Sequence, residues 1–209
     1  MRLVADSVAF SFGRRAIVTD LSVNLGPGES AAIIGPSGVG KTTVLALLGG
    51  LLQPQQGTIR VQDGGRGPHP AGSVAWVLQT INVFNDRSVL DNVAVGALAD
   101  GCGRPEAEEI AVRSLRRVGL DERSSDPVRR LSGGEMQRVV IARALASARP
   151  FILADEPTGQ LDTHTTQSVL DALIGSSDAR GLLVVTHDPA VASRCDRTLV
   201  LNDGTLVET

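Results

Sequence analysis

Short apolar runs separated by glycine- and proline-rich turns dominate the first third of the chain. Alternating or clustered apolar residues predict strands at 3–12, 21–25, 30–34, 57–62 and 73–78. The segment 42–52 has the length of a helix and is followed by Pro54, so we predict a helix that stops there. Residues 63–70 are mostly glycine and proline, which predicts a surface loop. Trp76 lies inside a predicted strand and is expected to be a core residue.

From residue 86 onward, apolar positions recur at helical spacing. We predict helices at 88–98 and 105–118 and interpret about 86–130 as a helical insertion. The remaining predicted elements are a helix at 133–148, a strand at 151–154, a helix at 163–173, a strand at 182–185 and a hairpin at 198–207. The wholly apolar strand at 151–154 is typical of a buried parallel sheet. The chain shows no internal repeat, so we predict an α/β fold with one domain over 1–209.

Composition limits the classes of partner. The chain has 209 residues, 42% of them hydrophobic, and no apolar run approaches the ~18 residues that span a bilayer. A charge at Asp6 precedes any segment that could act as a signal peptide, so we expect a cytoplasmic protein. Lys plus Arg number 20 against 23 Asp plus Glu, which argues against nucleic acid as a partner. An arginine-rich stretch at 113–130 is interrupted by acids and is interpreted as a solvated face.

A glycine-rich segment between a predicted strand and a predicted helix is the first candidate binding site. It matches G-x-x-x-x-G-K-[ST], a pattern in which backbone N–H groups and a helix N-terminus surround phosphate oxygens. Lys41 is expected to reach the β- and γ-phosphates, and the Thr42 hydroxyl is expected to bind Mg²⁺. The residues predicted to bind the nucleotide here are Gly35, Pro36, Ser37, Gly38, Val39, Gly40, Lys41, Thr42 and Thr43.

Two acids follow the apolar strand at 151–154. Both carboxylates should emerge at the carboxyl edge of the sheet, where open α/β folds bind ligands. Asp155 fits a Mg²⁺ ligand that acts through water, because Mg²⁺ prefers oxygen ligands and keeps several waters. Glu156 points differently and could take a proton from an attacking water, which is a general-base role.

A third motif is the run Leu131-Ser132-Gly133-Gly134-Glu135-Met136-Gln137-Arg138. Considered by itself, the run indicates only a helix that has Ser132 as its N-cap and glycines in its first turn. Its position is more informative. The order of strand, phosphate loop, helical insertion, this run and an acidic strand resembles the ATP-binding cassette (ABC) ATPases along essentially the whole chain.

The resemblance implies a P-loop NTPase fold with a RecA-like core, an N-terminal antiparallel β subdomain and an inserted helical subdomain. It implies ATP and Mg²⁺ as cofactors, and two copies of the chain arranged head to tail around two ATP molecules. In that arrangement Ser132, Gly133, Gly134 and Glu135 would contact the ATP held by the other copy.

Four further positions match motifs of the family. Gln79 matches the Q-loop, which implies a catalytic role, a place near Mg²⁺ and coupling to a membrane partner. His187 matches the switch histidine that contacts the γ-phosphate, and Asp162 matches the loop that touches the opposite subunit. Phe12 fits the position of an aromatic residue that stacks on adenine, with packing in the core as the alternative.

The segment 157–162, Pro-Thr-Gly-Gln-Leu-Asp, is similar to that of lipoprotein-releasing, macrolide-exporting and cell-division ATPases of this family. The chain departs from that group between Lys41 and Gln79, where the loop is shorter and a helical piece is missing. The implied function is the ATP-hydrolysing subunit of a transporter-type complex, coupled to a separate transmembrane permease chain at the inner face of the cell membrane.

Two alternatives stay open at this point. One is a cell-division-type ATPase that signals across the membrane mechanically and transports no solute. The other is a soluble ABC ATPase of DNA repair or translation. Such proteins usually carry long coiled-coil insertions or two fused cassettes, and this sequence contains neither.

Overall fold

The computed structural model of the protein describes residues 1–62, 69–176 and 179–209, without the side chains of residues 163 and 164. The strands of these residues are β1 (Arg2–Phe12), β2 (Arg15–Leu25), β3 (Ser30–Ile34), β4 (Gln56–Gln62), β5 (Val74–Val77), β6 (Phe151–Asp155), β7 (Gly181–Val185), β8 (Arg197–Asn202) and β9 (Thr205–Glu208). The helices are α1 (Lys41–Leu48), α2 (Val89–Ala99), α3 (Arg104–Arg117), α4 (Gly133–Ala146), α5 (Thr163–Ile174) and α6 (Pro189–Ala192). The α/β class predicted from the sequence is confirmed.

The described chain forms two compact units. The first consists of residues 1–74, 150–156 and 177–209, and the second of residues 75–149 and 157–176. The second unit contains the predicted helical insertion, about 86–130, and extends beyond it on both sides. The organisation of 1–209 as a single nucleotide-binding domain stays a prediction.

The first unit is built on a mixed sheet whose strands follow the order β4-β1-β2-β9-β8-β3-β7-β6. Its first part is antiparallel, because β1 pairs with both β2 and β4 in opposite directions. In the other part, β8, β3, β7 and β6 are parallel, and β9 pairs antiparallel with β8. Every residue of β6 and β7 is buried, as expected for parallel strands covered on both faces.

The register of the parallel strands places their carboxyl ends together. Val185 of β7 pairs with Ile33 of β3 on one side and with Asp155 of β6 on the other. The segments that follow these three strands therefore leave the sheet at one edge. They are the predicted phosphate loop, Glu156 and His187, so the topology of the first unit brings three separate motifs to one place.

Some predicted boundaries differ from the structure. Helix α1 ends at Leu48 and not at residue 52, because Gly50 at φ +75° reverses the chain there. Strand β2 begins six residues earlier than predicted, since a tight turn with Gly13 at φ +59° folds it directly onto β1. The short helix α6 was not predicted, because four residues are too few to show a helical period. Of the predicted loop at 63–70, residues 63–68 lie outside the described part of the chain.

In the second unit, helices α2, α3 and α4 pack against one another. Helix α2 approaches α4 very closely at Gly96, where an added Cβ would lie 2.2 Å from the Arg143 carbonyl oxygen. The Arg143 guanidinium donates to the carbonyl oxygens of Asn82 (2.6 Å) and Asn92 (2.8 Å) and to the Asn92 Oδ1 (2.9 Å). The fully buried Asn92 side chain also exchanges hydrogen bonds with the backbone of Phe84.

The prediction that Trp76 is a core residue is wrong. Its side chain is only partly buried and lines a cavity of about 200 Å³ in the second unit, together with Gly96 and Arg143. The cavity leaves part of the indole uncovered, although Gly96 brings α2 close to α4. The alternation along β5 predicted the strand correctly but could not show this cavity.

Candidate functional site

The predicted phosphate loop connects β3 to α1, and its backbone conformation depends on glycine. Gly38 and Gly40 have φ angles of +76° and +112°, a region that residues with a Cβ rarely adopt. At Gly40 an added Cβ would also lie 2.5 Å from the Ile17 Cγ2 atom, whereas at Gly38 it would meet open space. Gly40 is therefore required by both conformation and packing, and it directly precedes the first turn of α1.

Lys41 is buried, with 9% of its surface exposed, and its ammonium group turns back toward the loop. Its Nζ atom donates to the carbonyl oxygens of Gly35 (2.8 Å) and Pro36 (3.1 Å). These bonds hold a positive charge beside the backbone N–H groups at the start of α1. A compact ammonium group and a helix N-terminus in one place form a site for an anion such as phosphate.

Thr42 and Asp155 are brought together from separate parts of the chain, since the Thr42 hydroxyl donates to the Asp155 Oδ2 at 2.8 Å. Burial raises the pKa of the Asp155 carboxyl, and the nearby Glu156 charge adds to the increase. The Thr42 hydrogen bond and the Lys41 charge act against it. A hydroxyl and a carboxylate side by side are the hard oxygen donors that Mg²⁺ prefers, so these residues fit that ion.

Glu156 follows β6 directly and adopts a positive φ of +45°, which is unusual for a residue with a side chain. Its backbone N–H donates to the Val185 carbonyl oxygen at 2.9 Å, so the turn is fixed to the end of β7. Its Oε1 atom lies 2.8 Å from the His187 Nδ1, and the Thr186 hydroxyl lies 3.4 Å from its Oε2. The carboxylate is thus held by two residues that follow β7.

Phe12 lies at the end of β1 with 54% of its surface exposed. Its ring contacts Phe10 edge to face, with the centroids 4.9 Å apart and an angle of 86° between the planes. The exposure excludes the core-packing alternative and leaves a ring face accessible to a planar ligand. The contact with adenine stays a prediction.

The remaining predicted site residues lie in the second unit. Ser132 is the N-cap of α4, and its hydroxyl and the Glu135 carboxylate form a capping box. Gly133 and Gly134 lie against Gln160, and added Cβ atoms would approach its oxygen atoms to 3.1 Å at each position.

The other two predicted residues of this unit differ in environment. Asp162 caps α5 by accepting from the Thr165 N–H at 3.0 Å, and Gln79 is exposed just after β5. The structure thus brings Lys41, Thr42, Asp155, Glu156 and His187 together in the first unit. It groups the signature run with the Gln160 segment in the second.

Thr186 is a site residue that the sequence reasoning missed. It is fully buried, directs its hydroxyl toward Glu156 and accepts from the Asp188 N–H at 3.0 Å. The signal available in the sequence was a polar residue directly after the apolar strand at 182–185, next to His187.

Comparison with known proteins decides the family. The family profile described as ABC transporter matches residues 18–159. The chain belongs to the ABC transporter family. It is 40% identical over 201 residues to a lipoprotein-releasing system ATP-binding protein, LolD 1, of Caulobacter vibrioides, covering 91% of this chain and 86% of that protein. It is 39% identical over 209 residues to the taurine import ATP-binding protein TauB of Pseudomonas aeruginosa, covering 97% of this chain and 79% of that one.

Solved structures agree with this assignment. The dimeric structure of the bacterial ABC transporter cassette MJ0796 superposes with a TM-score of 0.86 at 30% identity, covering 100% of this chain and 98% of that one. A post-hydrolysis dimer of MJ0796 bound to ADP and phosphate superposes equally well, at 29% identity. The protein is therefore the ATP-binding and ATP-hydrolysing subunit of an ABC transporter complex. It uses Mg²⁺-ATP and works as a pair of cassettes with a membrane permease.

These results confirm the predicted ABC ATPase, and several of its curated relatives are lipoprotein-releasing ATP-binding proteins, one of the three kinds of ATPase that the sequence resembled. They favour transport over the cell-division-type alternative. Among the described residues, no helix is both long and apolar enough to cross a membrane.

Proposed function

We propose that this ABC ATPase hydrolyses ATP at sites that two copies of the chain complete together. The observation that carries the proposal is the cluster of Lys41, Thr42, Asp155, Glu156 and His187 at one edge of the first unit. This cluster offers a cation for phosphate, oxygen donors for a metal and a carboxylate beside a histidine. We propose that the exposed Ser132 of the other copy adds a contact to the γ-phosphate.

Each residue then has a defined task. Lys41 and the N–H groups of the loop bind the β- and γ-phosphates, and Phe12 stacks on the adenine. Thr42 and, through water, Asp155 would hold Mg²⁺, which neutralises phosphate charge when it is bound. Gln79 is proposed to sense this metal and the attacking water.

Glu156 takes the proton of the attacking water, a role that requires a carboxylate held in a fixed direction. The hydrogen bond to His187 and the proximity of the Thr186 hydroxyl provide that orientation. His187, whose side chain is 72% exposed, can also reach a γ-phosphate on its open side. Asp162 is proposed to contact the opposite copy from the start of α5.

The concentration dependence of the activity tests the shared site. Specific ATPase activity should rise with protein concentration and then level off, because a dilute monomer lacks the contacts of the second copy. The variant Ser132→Arg is the matched control and should stay at a low, flat activity. A wild-type specific activity that is constant from dilute to concentrated protein, for a chain that gel filtration shows to be monomeric, would contradict the proposal.

We further propose that the chain is cytoplasmic and lies on the inner face of the cell membrane through its permease chain. Support comes from the names of its relatives, which are ATP-binding proteins of release and import systems. Purification from detergent-solubilised membranes should yield the chain with an integral membrane protein that changes its ATPase rate. A chain that remains entirely in the soluble fraction, in cells that produce it with its permease, would contradict this location.

A further inference from the structure

The hydroxyl of Ser132 is bound to a carboxylate within its own chain. Ser132 Oγ donates to the Glu135 Oε2 at 2.9 Å, and the Ser132 N–H donates to the same oxygen at 2.8 Å. A serine hydroxyl has one proton, and here that proton points at Glu135. If Ser132 is to donate to a phosphate of another molecule, its hydroxyl has to turn away from this carboxylate. The Ser132 N–H can keep its bond to Glu135 while it does so.

Glu135 is therefore a competitor for the Ser132 hydroxyl, and it is also a negative charge beside the place where a triphosphate would arrive. Two anions that share one donor repel each other unless a cation lies near them. The structure provides that cation in Arg123, whose Nη1 lies 2.7 Å from the Glu135 Oε1. Each oxygen of Glu135 thus has its own partner: Arg123 holds one, and Ser132 holds the other.

Arg123 is less exposed than three other arginines of its stretch. Its side chain is 38% exposed, whereas those of Arg113, Arg116 and Arg129 are 63%, 66% and 64% exposed. It also bonds to the Asp126 carboxylate, three residues further on, which fixes the direction of the guanidinium from a second side. Within this stretch, Arg123 is thus held against the N-terminus of α4 by its bond to Glu135.

The ionisation of Glu135 agrees with this geometry. Hydrogen bonds from the Ser132 N–H and hydroxyl and the charges of Arg123 and Arg138 lower the pKa of the Glu135 carboxyl, against an opposing effect of burial. The group is consequently charged at neutral pH. Its charge is a permanent feature of the surface that carries Ser132.

We propose that Arg123 is a positioning residue for the ATP held by the opposite copy. Arg123 binds one oxygen of Glu135 and neutralises the charge of that carboxylate. The Ser132 hydroxyl can then turn to the γ-phosphate without leaving an unpaired negative charge beside it. This inference rests on the proposed trans contact of Ser132 and adds a residue to it. Removing Arg123 should weaken ATP-driven association, and removing the Glu135 charge as well should restore it.

The test uses the Glu156→Gln chain, in which the ATP-bound dimer should accumulate, and measures by gel filtration the Mg²⁺-ATP concentration that gives half-maximal dimer. Arg123→Gln should raise that concentration roughly three- to tenfold, the range expected for one partly exposed charge at an interface. Arg123→Lys should stay close to the parent, because it keeps the charge. The control Arg116→Gln removes an exposed arginine whose nearest carboxylate, Asp121, is 3.9 Å away, and should change nothing.

The charge argument is tested by a second substitution. Arg123→Gln combined with Glu135→Gln should return the half-maximal concentration to that of the parent or below it. Glu135→Gln alone should lower the half-maximal concentration. This variant still tests the charge argument if circular dichroism shows that Arg123→Gln does not fold. In the chain with Glu156 intact, Arg123→Gln should raise the KM for ATP and leave kcat at saturation within about twofold.

Failure of this inference can be told apart from failure of the proposed function. If Ser132→Arg leaves the dimer intact, the trans contact itself is wrong. If Ser132→Arg abolishes the dimer but Arg123→Gln behaves like Arg116→Gln, the role of Arg123 is overturned. It is also overturned if Glu135→Gln fails to restore the double variant, because Arg123 would then act only through the fold.

Discussion

Replacing Glu156 by glutamine is the sharpest test of the catalytic assignment. The amide has nearly the size of the carboxylate and keeps an oxygen that can accept from the His187 ring, 2.8 Å away, so its orientation should be retained. It cannot accept the proton of the attacking water. Loss of general-base assistance typically costs ~10²–10⁴ in rate. That range corresponds to a barrier higher by about 2.7–5.5 kcal/mol.

Binding of Mg²⁺-ATP should survive the same change. Lys41, Thr42 and Asp155 are unaltered, and the Glu156 charge is one of the causes that raise the pKa of Asp155. Without that charge Asp155 ionises more readily, so its capacity to hold Mg²⁺ should not decrease. We expect the two copies to separate once ATP is hydrolysed, so the ATP-bound dimer should accumulate in the variant.

Phosphate release measures the rate, a nucleotide titration measures binding, and gel filtration with Mg²⁺-ATP measures the dimer. Glu109→Gln is a matched control, because its carboxylate on α3 is 76% exposed and has no proposed role. Adding Ser132→Arg should abolish the dimer of the Glu156 variant. The mechanism is refuted if Glu156→Gln hydrolyses ATP at the wild-type rate, or if its dimer survives the Ser132 substitution.

Three further changes test other parts of the site. Lys41→Ala should nearly abolish ATP binding in a direct titration, because it removes the cation of the phosphate loop, and an unchanged affinity would overturn that assignment. Asp155→Asn should abolish Mg²⁺-dependent hydrolysis yet raise the melting temperature at pH 7. Burial raises the pKa of Asp155 in the folded chain above its value in the unfolded chain. The folded chain therefore loses stability as the pH rises from the unfolded pKa through the folded one, and at pH 7 the ionised Asp155 destabilises it. The gain should shrink toward acidic pH, the exposed control Asp86→Asn should show none, and a lower melting temperature would contradict the argument. Gly40→Ala should destabilise the chain by about 1–3 kcal/mol more than Gly38→Ala in urea unfolding, since only Gly40 lacks space for a Cβ. Equal effects of the two would show that conformation alone matters.

Much of the first unit could be predicted because its signals are local. The strand at 151–154 is apolar at every position, and the phosphate loop is a contiguous pattern with a strand before it and a helix after it. In the second unit the Ser132 cap of α4 is confirmed, whereas residue 88, predicted as the first residue of a helix, is the N-cap of α2. Gln79, Asp162 and His187 have no strong signal of their own, and they were predicted as site residues from the order of the motifs along the sequence.

Features that depend on distant residues could not be predicted. Glu156 has a positive φ and its N–H is bound to Val185 on a neighbouring strand, and Trp76 is partly exposed at a cavity that residues of other elements line. The role of Arg123 depends on Glu135, twelve residues later, which the fold brings within 2.7 Å. Charge counting along 113–130 treats all arginines alike, because only the folded chain determines which of them meets a carboxylate.

The bonds of Arg143 and Asn92 to the segment around Phe84 limit how far Gln79 can travel. From Asn82 onward the segment is fastened to α2 and α4, and the Phe84 ring lies 5.6 Å from the Arg143 guanidinium carbon. Only Thr80 and Ile81 separate Gln79 from this anchored stretch. Fully extended, three residues span about 10 Å, so Gln79 is on a short tether. A displacement within that length leaves the helices in place, and a longer one has to pull α2 and α4 with it. The tether thus sets the displacement of Gln79 above which α2 and α4 have to move as well.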